Sequence, residues 1–189
     1  MGSVVPLKKS ANSAYLDLKN ILNDRLDSVE KLIQLKLKSD VELIKKMSNY
    51  HFSSGGKRIR ALLTMGAAKL GGYNHGSRDI NLAACVELIH NATLLHDDVI
   101  DESELRRGIK TTNAVWGNQS SILVGDYLFS RCFEMMVDDG SPEILKLLSS
   151  TSSIIAQGEV LQLEHKGEID LLEESYFNII GMKTAALFA

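Results

Sequence analysis

The chain has 189 residues, of which 44% are hydrophobic and 24% charged, enough for one globular domain with a sizeable core. A net charge of −3 argues against non-specific binding to nucleic acid. Cys85 and Cys132 lie in apolar stretches without metal-type spacing, which suits a reducing intracellular compartment better than a disulfide framework.

In chain order the pattern is helix after helix. The opening MGSVVPLKKS lacks the basic-then-apolar pattern of a secretory leader, and Pro6 breaks a myristoylation signal. No apolar run reaches the length of a membrane span, so the expected location is cytoplasmic. From about 13 to 37, Leu16, Ile21, Leu22, Leu26, Val29, Leu32 and Ile33 mark one face of an amphipathic helix. A short helix is predicted from about 40 to 50. SerSerGlyGly at 53–56 is a break, and a new helix runs from Lys57 to about 70. After a second glycine break at 71–76, residues 78–100 are apolar nearly all round, which predicts a helix at the centre of the fold. A polar loop is expected at about 101–113. Helices at about 114–137 and 142–165 are divided by AspAspGlySerPro, where Asp138 and Asp139 read as turn residues. A last helix starts near Leu171 and is predicted to run to Ala189, as if the chain were cut inside it. Period-2 alternation is not convincing anywhere. The predicted fold is all-α, a single domain of long, mostly antiparallel helices.

Chemistry concentrates at LHDDVIDESELRR, residues 95–107. Asp97 and Asp101 are four apart and share a helix face, and Asp98 borders it. Three acids at a helix C-terminus oppose the macrodipole and call for a compensating cation. Magnesium suits them, since it binds through one or two carboxylates and completes its shell with water and substrate phosphates. The bland alternative is a solvated acidic helix end. Arg106 and Arg107 follow, with the bidentate geometry that phosphate favours. A second basic group, GlyGlyLysArgIleArg at 55–60, joins a glycine break to a helix start. Lys57 and Arg60 share a face there and suit an anion, while Arg58 points elsewhere. His90 lies nearly on the Asp97 face, and His96 adjoins the cluster. The plain alternative for a lone histidine on an apolar helix is a hydrogen-bonded core residue, which weighs more for His96 than for His90.

Together GGKRIR, ELIHNATLLHDDVIDESELRRG, LVGDYLFSR and GEVLQLE resemble the trans-type polyprenyl diphosphate synthase family, in particular its long-chain octaprenyl and decaprenyl branch. The likeness spans roughly residues 15–189 and covers the N-terminal part of that family only. It implies a prenyltransferase that condenses isopentenyl diphosphate with an allylic diphosphate such as farnesyl diphosphate. By this resemblance Asp97, Asp98 and Asp101 hold magnesium on the allylic diphosphate. Arg106, Lys183 and Thr184 reach that diphosphate. Lys57, Arg60, His90 and Arg107 bind isopentenyl diphosphate, and Gln157 and Gln162 line the cavity. Ala92 and Thr93, small and just upstream of the aspartates, would let a growing tail pass toward a floor of Leu88, Ile89, Phe129 and Phe133. Ala92→Phe is then expected to shorten the product. A homodimer is implied, with membranes met only through the lipid product. The family's usual proline after GGKRIR is Ala61 here, and its second aspartate-rich motif has no counterpart, which favours as an alternative a non-catalytic subunit that binds a diphosphate or a partner synthase. A class I terpene cyclase fits less well, because it has no isopentenyl diphosphate for GGKRIR to bind.

Overall fold

The computed structural model describes residues 11–167 and 170–189; the reading of the first ten residues lies outside it. Nine α-helices are formed among these residues. The expected first helix is two, α1 (Ala11–Ile21) and α2 (Asn23–Lys36). The break falls at Leu22, which leaves helical geometry (φ −111°, ψ 10°) and enters the core at 1% exposure, while Ile21 stays outside. Next come α3 (Glu42–Ser53), α4 (Ile59–Leu70) and α5 (Arg78–Ile100). Helix α5 is the hub: Ala83, Ala84, Cys85, Leu88, Ile89, Ala92 and Leu95 are all buried, packed mainly against α7, α4 and α2.

The polar loop after α5 is more ordered than its composition suggests. Leu105–Arg106 (β1) pairs antiparallel with Ile109–Lys110 (β2). Their two-residue turn, Arg107-Gly108, has positive φ at both positions, 52° and 83°, the pattern of the type I′ turn that matches strand twist. A short helix α6 (Thr112–Trp116) follows, and Gly117 at φ 84° separates it from α7 (Asn118–Asp139).

Helix α7 ends as the turn residues dictate. Gly140 takes the left-handed conformation at φ 73°, Ser141 Oγ accepts from the Ile144 backbone N–H at 3.3 Å, and Pro142 opens α8 (Pro142–Glu164). Asp138 and Asp139 face back to other elements. Lys36 Nζ lies 3.2 Å from Asp138 Oδ2, and Arg78 donates from Nε and Nη2 to Asp139, both at 2.8 Å. Helix α9 spans Glu173–Lys183. It does not run to the chain end as predicted, because Ala185–Leu187 tightens into a 3₁₀ turn. Among the described residues no helix is long and apolar enough to cross a membrane.

Candidate active site

Two sites of opposite charge lie along α5. The first is a cavity of about 560 Å³ lined by residues that include Lys57, Arg60, Glu87, His90, Asn91, Arg107 and Phe188. Lys57, Arg60, His90 and Arg107 come from three separate segments, so tertiary structure assembles what the sequence left apart. Gly55 and Gly56 make the approach possible. Arg107 Nη1 donates to the Gly55 carbonyl, and a Cβ at Gly56 would stand 2.8 Å from that same nitrogen. The type I′ turn therefore has a second role, since it presents Arg107 to the cavity from a strained left-handed residue. Arg58, expected to point elsewhere, also lines the cavity, and carboxylates hold it in place, with Nε 2.5 Å from Glu30 Oε1 and Nη1 3.8 Å from Glu87 Oε2.

The electrostatics of this cavity favour an anion. His90 is pushed down to about 3, first by burial and then by Arg60, Arg107 and Arg106. A neutral imidazole among guanidinium groups registers a positive local potential. Arg60 Nε is buried without a hydrogen-bond partner, and its guanidinium lies 4.3 Å from the Phe188 ring centroid. Buried Glu87 keeps these cations in place. Its carboxyl is raised by burial and lowered again by the Ala61 N–H, Arg58 and Arg60. Ala61 N donates to Glu87 Oε1 at 3.2 Å. A proline at that position would have no N–H to give.

The second site is the acidic end of α5. Asp98 does not join Asp97 there. It is 1% exposed, and Arg106 grips it through Nε and Nη2 at 2.7–3.0 Å. Of the three aspartates expected at the metal, Asp98 is the one paired with an arginine among the described residues, and its partner is Arg106, which was expected on the diphosphate. Asn113 Nδ2 donates to the Asp98 and Ser103 carbonyls, each at 3.1 Å, fixing the helix end. Asp97 is pushed up to about 7, chiefly by burial and then by the charges of Glu159 and Asp101, with Lys183 pulling the other way. Lys183 Nζ stands 2.7 Å from Glu159 Oε2 and 3.9 Å from Asp97 Oδ2. Among the described residues no group of three metal-capable side chains is assembled. Asp97 and Asp101, one helical turn apart with Lys183 3.9 Å from Asp97, present a donor set that fits magnesium with water and phosphate oxygens completing its shell.

Other expected residues sit elsewhere. His96 faces α7, with Nε2 3.2 Å from the Ile122 carbonyl and 3.4 Å from Asp126 Oδ1; Gly125 leaves the room it needs. Gln157 is exposed, and its amide donates to Ser153 Oγ on its own helix. Gln162 is half-buried on α8 and, like Gln157, does not border the cavity. Thr184 is the exposed C-cap of α9. Ala92 is fully buried in the core cluster, and Thr93 turns its hydroxyl to the His90 carbonyl at 2.7 Å; neither borders the cavity. Leu88 and Ile89 are core residues, and Phe129 stacks on His96. Phe133, expected in a tunnel floor, is 46% exposed.

The sequence reading missed Glu87, Asn91 and Glu159. Glu87 precedes His90 by three residues and Asn91 by four, a helical spacing that was a usable signal. Glu159 lies in the GEVLQLE motif, but its pairing was not readable because its partners come from α5 and α9.

Comparison with known proteins fits this geometry. The family model for polyprenyl synthetase matches residues 41–189. The chain belongs to that family. It is 48% identical over 153 residues to octaprenyl diphosphate synthase of Escherichia coli K12, covering 81% of this chain and 47% of that one. A decaprenyl diphosphate synthase structure from Rhodobacter capsulatus superposes with a TM-score of 0.87 at 43% identity, covering 92% of this chain and 54% of the other. A polyprenyl synthase from Caulobacter crescentus, complexed with calcium and isoprenyl diphosphate, gives a TM-score of 0.91 at 42% identity over 97% of this chain and 55% of its own. The chain spans about half the length of the relatives it matches.

Proposed function

We propose that this polyprenyl synthetase chain carries the diphosphate-binding half of a trans-prenyltransferase that joins isopentenyl diphosphate to an allylic diphosphate. The observation that carries the reading is the convergence of Lys57, Arg60, His90 and Arg107 on one cavity, beside an acidic helix end that demands a cation. The cationic cavity takes the diphosphate of isopentenyl diphosphate through charge-assisted hydrogen bonds. Asp97 and Asp101 hold magnesium, which when bound neutralises charge on the departing allylic diphosphate. Lys183 supplies a further positive charge at the same end. Arg106 locks Asp98 and the turn of α5 that presents Asp97.

The chain-length expectation is not carried forward on Ala92, whose surroundings are packed core. Homodimer formation belongs to this reading and is supported by the exposed apolar residues Ile122, Phe133 and Val137, which recur on one face of α7. The cytoplasm remains the proposed location.

The test is incorporation of labelled isopentenyl diphosphate into farnesyl diphosphate by the 189-residue chain with magnesium, and by its Asp97→Ala variant. Polyprenyl products that disappear in the variant are the expected result. Diphosphate binding without any product would favour the second reading, a binding subunit that needs another chain for turnover; that reading draws on the half-length match to its relatives. Absence of both binding and product would overturn the proposal.

A further inference from the structure

Glu159 is a carboxylate at the acidic end that comes from another helix and belongs to no aspartate-rich motif. It sits on α8, with a side chain 15% exposed, and its Oε2 accepts from Lys183 Nζ at 2.7 Å. Its Oε1 is buried without a hydrogen-bond partner; the carboxyl also neighbours that of Asp97, and the Lys183 ammonium is the cation it holds. The same ammonium is 3.9 Å from Asp97 Oδ2, too far for a close hydrogen bond. Lys183 is therefore drawn toward α8 and off α5.

The backbone is shaped for this. A Cβ at Gly158 would lie 2.7 Å from the Lys183 backbone nitrogen and 2.8 Å from Met182 Cβ. Gly158 lets α9 close onto α8, and the next residue receives the lysine that this closure delivers. A lysine side chain is otherwise a flexible stem that settles on whichever carboxylate is nearest. Without Glu159, that carboxylate is Asp97, and an ammonium seated on Asp97 competes with a metal ion for the same oxygens.

We infer that Glu159 is a positioning residue that holds the Lys183 ammonium beside Asp97 but off it, leaving that carboxylate to the metal cation. The inference rests on the proposed function, because it presumes that Asp97 takes magnesium with an allylic diphosphate. Glu159 acts through Lys183 and is not itself a metal ligand.

The experiment is calorimetric titration of the 189-residue chain with farnesyl diphosphate across a magnesium series, paired with isopentenyl diphosphate titration and thermal melting. In Glu159→Ala, the magnesium concentration needed for half-maximal farnesyl diphosphate affinity should rise roughly tenfold to a hundredfold, the range for residues that orient a metal site from behind. In a Lys183→Ala background the same substitution should leave that concentration unchanged, because no ammonium remains to compete. Isopentenyl diphosphate affinity should not move. Glu159→Gln, which keeps the side chain's shape and removes its charge, should raise the magnesium requirement in the same direction and serves if Glu159→Ala does not fold. An equal shift with and without Lys183 would make Glu159 a direct ligand and overturn the inference, as would no shift in either variant. Failure of the unaltered chain to bind farnesyl diphosphate at any magnesium concentration would instead sink the proposed function, and this inference with it.

Discussion

His90 and Asp97 lie seven positions apart on α5, and the two ends of that interval are built differently. At His90 the cations are assembled before any ligand arrives. Glu87, Glu30 and the Gly55 carbonyl fix Arg58 and Arg107, while Lys57 and Arg60 remain for an anion. At Asp97 the charges are not complete. Burial and Glu159 push its carboxyl up to about 7 despite Lys183. One end is preorganised by protein contacts, and the other waits for a cation. Preorganised dipoles and charges are the cheaper way to stabilise a bound anion. An end left open to a metal can instead respond to what the metal brings with it.

The comparison can be broken at either end. The largest effect is expected from Asp97→Ala, which removes the buried half of the open pair; prenyl transfer should fall by at least roughly a hundredfold, and extra magnesium should not restore it. Arg60→Ala should weaken isopentenyl diphosphate binding by about tenfold to a hundredfold, the usual worth of a charge-assisted hydrogen bond, without changing the magnesium requirement. A change in that requirement would show that the two ends are not independent. Ala92→Phe, which forces a ring into a fully buried position, should cost about 1–3 kcal/mol in denaturant unfolding. A stable variant with a shortened product would restore Ala92 to the tail path expected from sequence.

The smallest effect is on pH. His51 is pushed down to about 4, mainly by burial, and His90 to about 3. The folded chain therefore binds fewer protons than the unfolded one below the ordinary histidine value of 6.5. Stability should fall as pH drops from 6.5 toward 4. Asp97 works in the opposite sense, since its folded value is raised and its protonation favours the fold as pH falls. Thermal melts of His90→Gln should lose acid sensitivity relative to the unaltered chain, whereas Asp97→Asn should gain it. Identical slopes in all three would contradict these assignments.

Much of the scaffold was legible in the sequence. Helix α5 announced its central place by being apolar nearly all round, and AspAspGlySerPro spelled out a helix stop, a cap and a helix start. The basic cavity was legible as well, because glycines, cations and a helix start lie within six residues of one another. What the sequence could not show was pairing between distant residues. Nothing local distinguishes Asp98, locked by Arg106, from Asp97, left open. Glu159 looks like any solvent-facing acid until α9 brings Lys183 against it. The hairpin at Arg107-Gly108 was hidden because two-residue strands are too short to alternate. The break at Leu22 was hidden because the apolar period continues through it.

The central claim is that the two ends of α5 bind diphosphates by different means, and titration calorimetry with and without magnesium tests it most directly. The account predicts that isopentenyl diphosphate binds the metal-free chain nearly as well as the magnesium-loaded one, while farnesyl diphosphate binds appreciably only with magnesium. Strict magnesium dependence for isopentenyl diphosphate, or its absence for farnesyl diphosphate, would contradict it.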